Sequence, residues 1–569
     1  NWYINSYWTI KGQFSITKQF IKGEKFIDPL SNKVSVLGSS EDEHLAGDLY
    51  TDKGDDLRWN TNAFLYYTRT LKKHNLNFSL GVEASSTNTS STSAHYRGFP
   101  SGEFHSLNYA AEIYKKPTKS ENTTRLFSTI GSLNYTYDNI YLLDAAVRFD
   151  GSSEFGSNQK WAPFFSGGIG LNIHNYEFLK GNRYINQLKI RGSYGRTGKV
   201  NFAPYAATTM YEAMFDEWYV TGYGVTLKAL GNRNLSWEKT DKFDVGFDFQ
   251  FFNQRLTITG DYFYEKTIDL INDVTLSTTS GFSTYKNNLG EVENKGVEFQ
   301  IRGDIVQTKN WNLALWGNLS HNKNKILKIS DSQKAYNERV QKYYAEAEQY
   351  QNTVNASSDS KYAIPIPQYA EGGSITSIWG VQSLGIDPTT GKELFLNRDG
   401  SVSSTWQASQ QVVLGNTEPK VQGSFGFNLG YRNWTLFASF LYECGGQAYN
   451  QTLVDNVENA DIAYSNVDLR VLTDRWQKPG DITQLKDIKD RNATTLPSSR
   501  FVQTNNLLNM SALTLSYDFE RKWIQKMHMN MLRLEISTND LFYISTVKRE
   551  RGLDYPKAWD INFAVKVQF

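Results

Sequence analysis

Between Lys242 and Phe251 the chain alternates strictly. Phe243, Val245, Phe247, Phe249 and Phe251 fall on one side of an extended strand, and Lys242, Asp244, Gly246, Asp248 and Gln250 on the other. A period of two with one apolar and one polar side marks a strand lying between two different environments. Asn253-Gln254 supplies a tight turn, and Leu256 to Lys266 returns with Ile258, Gly260, Tyr262 and Tyr264 on the apolar side. The pattern recurs at Phe127 to Tyr137, which turns at Asp138-Asn139 and returns through Tyr141 to Phe149. It recurs again at Val297 to Ile301, Trp311 to Leu319, Phe425 to Tyr431, Leu513 to Phe519 and Asp560 to Phe569.

Spacing turns these strands into an architecture. The sequence predicts roughly sixteen of them, with short turns near Lys72, Asp138, Asn253, Lys309 and Arg432. The other connections are long: Ser86 to Asn122, Arg196 to Ser236, Asn322 to Lys420, Gly445 to Phe501 and Asn539 to Lys557. Short turns on one side and long loops on the other fit an antiparallel outer-membrane barrel, whose apolar strand faces meet lipid. A propeller would show a blade repeat, and none is visible. Many strands exceed the roughly 9–11 residues that cross a bilayer, so the wall should rise above the membrane on the loop side. Helical spacing predicts short helices at Asp331 to Glu346 and at Asp468 to Trp476, the second ended by Pro479-Gly480. The expected fold is therefore all-β, a large antiparallel transmembrane barrel with long extracellular loops bearing short helices.

Composition narrows the function more than the fold. The 569 residues carry 60 Lys+Arg against 59 Asp+Glu, which leaves no basic footprint for nucleic acid. No apolar run approaches the length of a membrane helix, and the mean hydropathy of −0.52 does not argue against barrel strands, because alternation averages out. A lone cysteine, Cys444, excludes an internal disulfide, and it reads as a small packed residue rather than a nucleophile. The histidines show no metal-ligand spacing, and Glu41-Asp42-Glu43-His44 reads as a solvated acidic loop rather than a cation site. Neither a phosphate-binding loop nor a G-x-S-x-G elbow occurs, and nothing singles out a pair of carboxylates for glycoside hydrolysis. No cofactor and no metal are expected.

Several motifs, in order along nearly the whole chain, carry a resemblance. They are D-G-S-S-E-F-G-S-N-Q-K-W-A-P-F-F-S (Asp150 to Ser166), L-K-I-R-G-S-Y-G-R-T-G (Leu188 to Gly198) and N-L-S-W-E-K-T (Asn234 to Thr240). The series continues with Asn288 to Phe299, Leu384 to Gly391, Leu414 to Lys420, Asn539 to Phe542 and Glu550 to Pro556. Together they resemble SusC-like TonB-dependent outer-membrane transporters. The resemblance implies a barrel of about 22 strands around a plug. It also implies a TonB-contacting segment and a SusD-like surface lipoprotein acting as a lid. Oligosaccharide is the implied cargo, or less often oligopeptide, with surface glycan-binding proteins or hydrolases as further partners. The first residues, N-W-Y-I-N-S-Y-W-T-I, already read as barrel. Residues 1–569 are thus expected to be the C-terminal part of such a barrel, with plug, TonB-contacting segment and first strands outside the chain. An ungated porin and a surface glycan hydrolase are the rival readings.

Six aromatics fall in expected extracellular loops: Trp218, Tyr219, Tyr223, Tyr369, Trp379 and Trp406. One reading has them stack on sugar rings or anchor the lid; the other has them pack the loops together. Tyr135, Tyr137, Trp311 and Trp434 sit at strand ends, where interfacial girdle residues belong. Phe563 and Phe569, on the apolar side of the last strand, resemble the terminal signal by which such barrels are recognised for insertion.

Overall fold

The computed structural model describes residues 1–31, 45–200, 202, 204–275, 284–288, 290–352, 363–460, 462, 467–492, 495–548 and 558–569. Its main body is one 18-stranded antiparallel sheet. Leaving aside the short Trp2–Tyr3 and Tyr543–Ser545, sixteen long strands remain. They are β1 (Trp8–Ile27), β2 (Asp48–Leu71), β3 (His74–Arg97), β4 (Glu112–Tyr137), β5 (Tyr141–Ser152), β6 (Trp161–Asn172), β7 (Ile185–Lys199) and β8 (Glu238–Phe251). Then come β9 (Leu256–Ile268), β10 (Glu291–Gln307), β11 (Trp311–Lys328), β12 (Val421–Tyr431), β13 (Trp434–Tyr449), β14 (Val502–Asp518), β15 (Met531–Thr538) and β16 (Ile561–Gln568). Every strand pairs with the next in sequence, so the wall is a simple meander. The outer edge of β1 pairs only with Trp2–Tyr3, and β16 has no second partner among the described residues.

Register explains the alternation. Phe243, Val245 and Phe247 of β8 stand opposite Tyr194, Gly192 and Ile190 of β7, and opposite Tyr264, Tyr262 and Gly260 of β9. Apolar residues thus form continuous rows, and members such as Leu80, Val147, Ile169, Val245, Val297 and Ile536 are exposed on the outer face. In water this would be a severe liability; against hydrocarbon it is the stable arrangement. The inner face carries the charges in pairs. Arg191 reaches Asp244 at 3.1 Å, Asp248 at 3.4 Å and Asp261 at 2.6 Å, while Arg148 reaches Glu83 at 3.3 Å and Asp150 at 2.5 Å.

The short turns lie where alternation places them, and they demand left-handed backbone. Lys72, Asp138, Asn139, Asn253 and Arg432 all have positive φ, between 51° and 56°. Primed turns of this kind match the twist of the flanking strands. At this end Trp311 meets Tyr431 at 4.4 Å and Trp434 meets Tyr517 at 4.8 Å between ring centroids, a girdle as expected.

Four readings are corrected. The Ser/Thr/Asn-rich stretch from Ser86 to Asn122 is mostly strand, with β3 continuing to Arg97 and β4 beginning at Glu112. Above the membrane both faces of the wall meet water, so the apolar rows stop and the amphipathic signal vanishes while the ladder continues. The helix expected at Asp468 to Trp476 is a single turn, Arg470–Thr473, because the Arg475 side chain is drawn inward to backbone carbonyls. The other expected helix runs on to Asn352. Cys444 is exposed on the outer face rather than packed. Two motifs, Glu41 to His44 and Glu550 to Pro556, lie outside the described residues.

An Ile301→Arg change, opposite Gly317 and about midway along the apolar band, should cost about 2–4 kcal/mol. Gln300→Ala beside it, on the inner face, should stay within about 0.5 kcal/mol. The fraction of heat-modifiable barrel on a semi-native gel separates the two; equal loss would mean that Ile301 does not face lipid.

Candidate functional site

On the inner wall, above the apolar band, Ser85 and Thr87 of β3, Thr124 of β4, and Asp150 and Ser152 of β5 line a cavity of about 350 Å³. Arg125, Leu126, Glu154, Gly198, Lys199, Val200 and Trp237 complete it. Its floor is a packed cluster of Phe155, Phe164, Leu235 and Trp237. The Trp237 ring lies 4.4 Å from that of Phe155 and 5.4 Å, edge-on, from that of Phe164.

Two of the sequence motifs build this floor by packing on each other. The Gly156 N–H donates to the Leu235 carbonyl and the Asn158 N–H to that of Arg233, both at 3.1 Å. The Asn158 amide donates to Asn234 Oδ1 at 2.9 Å. Gly156 has to be glycine, because a Cβ there would stand 2.1 Å from the Arg233 carbonyl oxygen. Burial pushes the Glu154 carboxyl above its ordinary value, against a hydrogen bond to Ser152. The lining thus offers hydroxyls, carboxylates, one ammonium group and an aromatic edge, and its volume falls within the range of small-ligand sites. Among the described residues, no group of three or more His, Cys, Asp or Glu is placed to hold a metal.

A second assembly caps the loop side. The helix Asp331–Asn352 packs Val340 and Tyr344 against Val381, Phe395, Trp406 and Leu496. Beside this core Arg500 is buried between two carboxylates, Glu393 at 2.8 Å and Glu458 at 2.6 Å. Arg475, also buried, donates to the carbonyls of Val457, Glu458 and Lys486 at 2.7–3.0 Å. Two cations and two anions therefore share one dry space and tie together segments around 393, 458, 475 and 500. Burial alone would raise the Glu393 pKa, but the charge and hydrogen bonds of Arg500, with the Ser498 hydroxyl at 2.7 Å, hold it below the usual carboxylate range. Burial works against the Arg500 charge in the same way, and its two carboxylates raise its pKa instead. Sequence reading missed this cluster, since four single residues far apart in the chain carry no shared pattern.

The six loop aromatics divide. Tyr219 and Tyr223 flank the tip of a hairpin, Met210–Tyr219 with Gly222–Ala229, and are 58% and 52% exposed. The backbone of Trp218 pairs with Tyr223 in the same hairpin. The Tyr369 ring lies tilted against that of Tyr336 at 5.6 Å, and its backbone exchanges hydrogen bonds with the Asn337 side chain, so it braces the helix. Trp379 is half-buried, with its indole N–H enclosed. Trp406 is 3% exposed and donates to the Pro497 carbonyl at 3.0 Å, so its ring serves the loop core. Trp237, the aromatic that lines the inner cavity, was not among the six; its place in N-L-S-W-E-K-T was the available signal. Phe563 and Phe569 are 76% and 80% exposed on the last strand.

A family model described as "TonB dependent receptor-like, beta-barrel" matches residues 2–496. TonB-dependent receptor P3 of Formosa agariphila is 28% identical over 502 residues, covering 87% of this chain and 48% of the relative. TonB-dependent receptor SusC of Bacteroides thetaiotaomicron is 25% identical over 535 residues, covering 89% and 50%. The chain therefore spans about half the length of the curated relatives it matches. Among solved structures, the RagAB peptide importer in its open-open state superposes with a TM-score of 0.80 at 21% identity, covering 99% of this chain and 59% of that one.

Replacing Arg500 by Met leaves two buried carboxylates without their shared cation and should cost the loop assembly about 3–5 kcal/mol. In the native protein the depressed Glu393 pKa contributes stability that is present above its ordinary value of 4.5 and is lost as pH falls further. In Arg500→Met the sign should reverse, with stability rising on acidification as the stranded carboxylates take up protons. Limited proteolysis of the loops across pH 3.5–7.5 reads both slopes, and identical profiles would remove the ion cluster from the account.

Proposed function

Because this chain belongs to the TonB-dependent receptor-like β-barrel family, a family of transporters in the outer membrane, we propose that it forms the conducting wall of an importer for oligosaccharides. Uptake is energised through TonB, and a SusD-like surface lipoprotein closes over the loops. The plug, the TonB-contacting segment and the strands that satisfy the open edges of β1 and β16 belong to this reading as parts outside the present chain. The work is binding and gated passage, not bond chemistry.

The observation that carries the proposal is the inner cavity at Glu154, Lys199 and Trp237. Here hydroxyls, the Glu154 carboxyl and Asp150, itself paired with Arg148, converge beside the Trp237 ring. A sugar matches that lining, because its hydroxyls donate and accept in alternation while its C–H faces pack on aromatic carbon. Tyr219 and Tyr223, at the tip of an exposed hairpin with Trp218 in its backbone, are proposed as lid contacts. Tyr369, Trp379 and Trp406 act behind them by holding the loop core. Oligopeptide uptake is the second reading. It is favoured by the peptide importer among the solved structures and by the opposite charges of Glu154 and Lys199, which suit the two ends of a peptide.

Deleting the gene should abolish growth on one class of oligosaccharide and leave growth on its monosaccharide intact. Loss of growth on short peptides as nitrogen source would select the second reading instead, and no change on either would reject both. Lys199→Ala, at an exposed lining position, should raise the half-saturating cargo concentration about tenfold, equivalent to about 1.4 kcal/mol.

Phe569 and Phe563 are proposed as the insertion signal. Phe569→Ser should lower the amount of folded barrel in the outer membrane while cargo preference stays the same. Unaltered membrane levels would dismiss that role.

A further inference from the structure

A second hollow adjoins the inner cavity, with Ser85, Arg125, Leu126 and Ser152 lining both, and opens toward the outer face of the wall at Phe127 and Trp161. It is a groove of about 360 Å³ lined by Trp59, Phe127, Gly151 and Trp161, with Arg125 and Lys160 at its rim. The rings of Phe127 and Trp161 meet edge to face at 6.1 Å. Gly151 keeps the groove open beneath the indole, because a Cβ there would stand 2.7 Å from the Trp161 ring. Arg125 shares the outer face with Phe127, two residues along β4, and both Arg125 and Lys160 are exposed. Neither cation forms an ion pair among the described residues, unlike Arg148 and Arg191 on the inner face.

Its height follows from the strand. Tyr137, at the short turn between β4 and β5, marks the lower aromatic girdle. Phe127 lies ten residues further up β4. At about 3.3 Å per residue and a tilt of about 40°, that is a rise of about 25 Å, the height of the apolar band. Trp59, Phe127 and Trp161 therefore belong to the upper girdle, and Arg125 and Lys160 stand at the polar boundary of the outer leaflet.

We propose that this groove binds a phosphate-bearing lipid of the outer leaflet, with its phosphate held by Arg125 and Lys160 and an acyl chain lying along Trp59, Phe127 and Trp161. The charge and the apolar floor meet at the height where the headgroup and chain of such a lipid meet. Guanidinium and ammonium donors form charge-assisted bonds to phosphate oxygens, and the indole face suits the interface. A soluble anion would use the two cations without the floor, and a zwitterionic lipid would leave the pair of positive charges only partly answered.

The test uses full-length protein purified from outer membranes in detergent and titrated with monophosphorylated lipid A under native mass spectrometry. Wild type should retain one lipid. Arg125→Gln with Lys160→Gln should weaken binding at least about tenfold, as should removing the phosphate from the lipid. Trp161→Ala should weaken both lipids together. Heat-modifiable mobility reports whether each variant has assembled, and if the double variant fails, the wild-type comparison of phosphorylated with dephosphorylated lipid decides alone. Equal binding of the two lipids would overturn the proposal. So would displacement of the lipid by inorganic phosphate, which would make the groove a simple anion site.

Discussion

The structure depends first on the backbone hydrogen bond in a medium without water. Within hydrocarbon an unpaired N–H or C=O has nothing else to bond, so the chain can cross only as a continuous ladder. This chain meets that demand in the simplest way: each long strand pairs with its sequence neighbour, and no strand is inserted out of order. Apolar rows facing outward and ion pairs facing inward are consequences of that ladder, since alternate side chains must point to opposite media. Among the described residues the outer edge of β1 pairs only with Trp2–Tyr3 and β16 has one partner, and exposed apolar residues such as Phe14, Phe20, Phe563 and Val565 lie on these strands.

Where the membrane ends, the constraint relaxes and a different one takes over. The ladder of β2 to β4 continues on polar residues, and the loops above must hold their shape by packing of their own. They do so with a small hydrophobic core around Tyr344 and Trp406 and with the buried cluster of Arg500, Glu393, Glu458 and Arg475. A buried ion cluster adds little net stability compared with apolar packing, but it fits only one arrangement of its four segments. The loop assembly has a defined shape for that reason.

The wall itself presents two adjoining hollows of different chemistry. Hydroxyls, Glu154, Lys199 and Trp237 line one hollow, and Lys160 lines the other with Trp59, Phe127 and Trp161, while Arg125 borders both. Both draw in part on the stretch Asp150 to Trp161, whose glycines let rings and backbone approach closely. That gives the motif a physical reason beyond turn formation.

The alternation of Lys242 to Phe251 and its repeats determined the strands, their faces and the placing of the short turns, because a period of two in lipid has one solution. The sequence also carried the girdle at Trp311 and Trp434 and a helix starting at Asp331, though not its full length to Asn352. It could not show that Ser86 to Arg97 stays in the sheet, because a strand wet on both faces has no amphipathic signature. Nor could it bring Glu393, Glu458, Arg475 and Arg500 together, or separate the buried Trp406 from the exposed Tyr219 and Tyr223. Those are contacts between residues tens of positions apart, and periodicity describes one strand at a time. Only the pairing of the strands and the packing of the loops decided which side chains face inward, outward or each other.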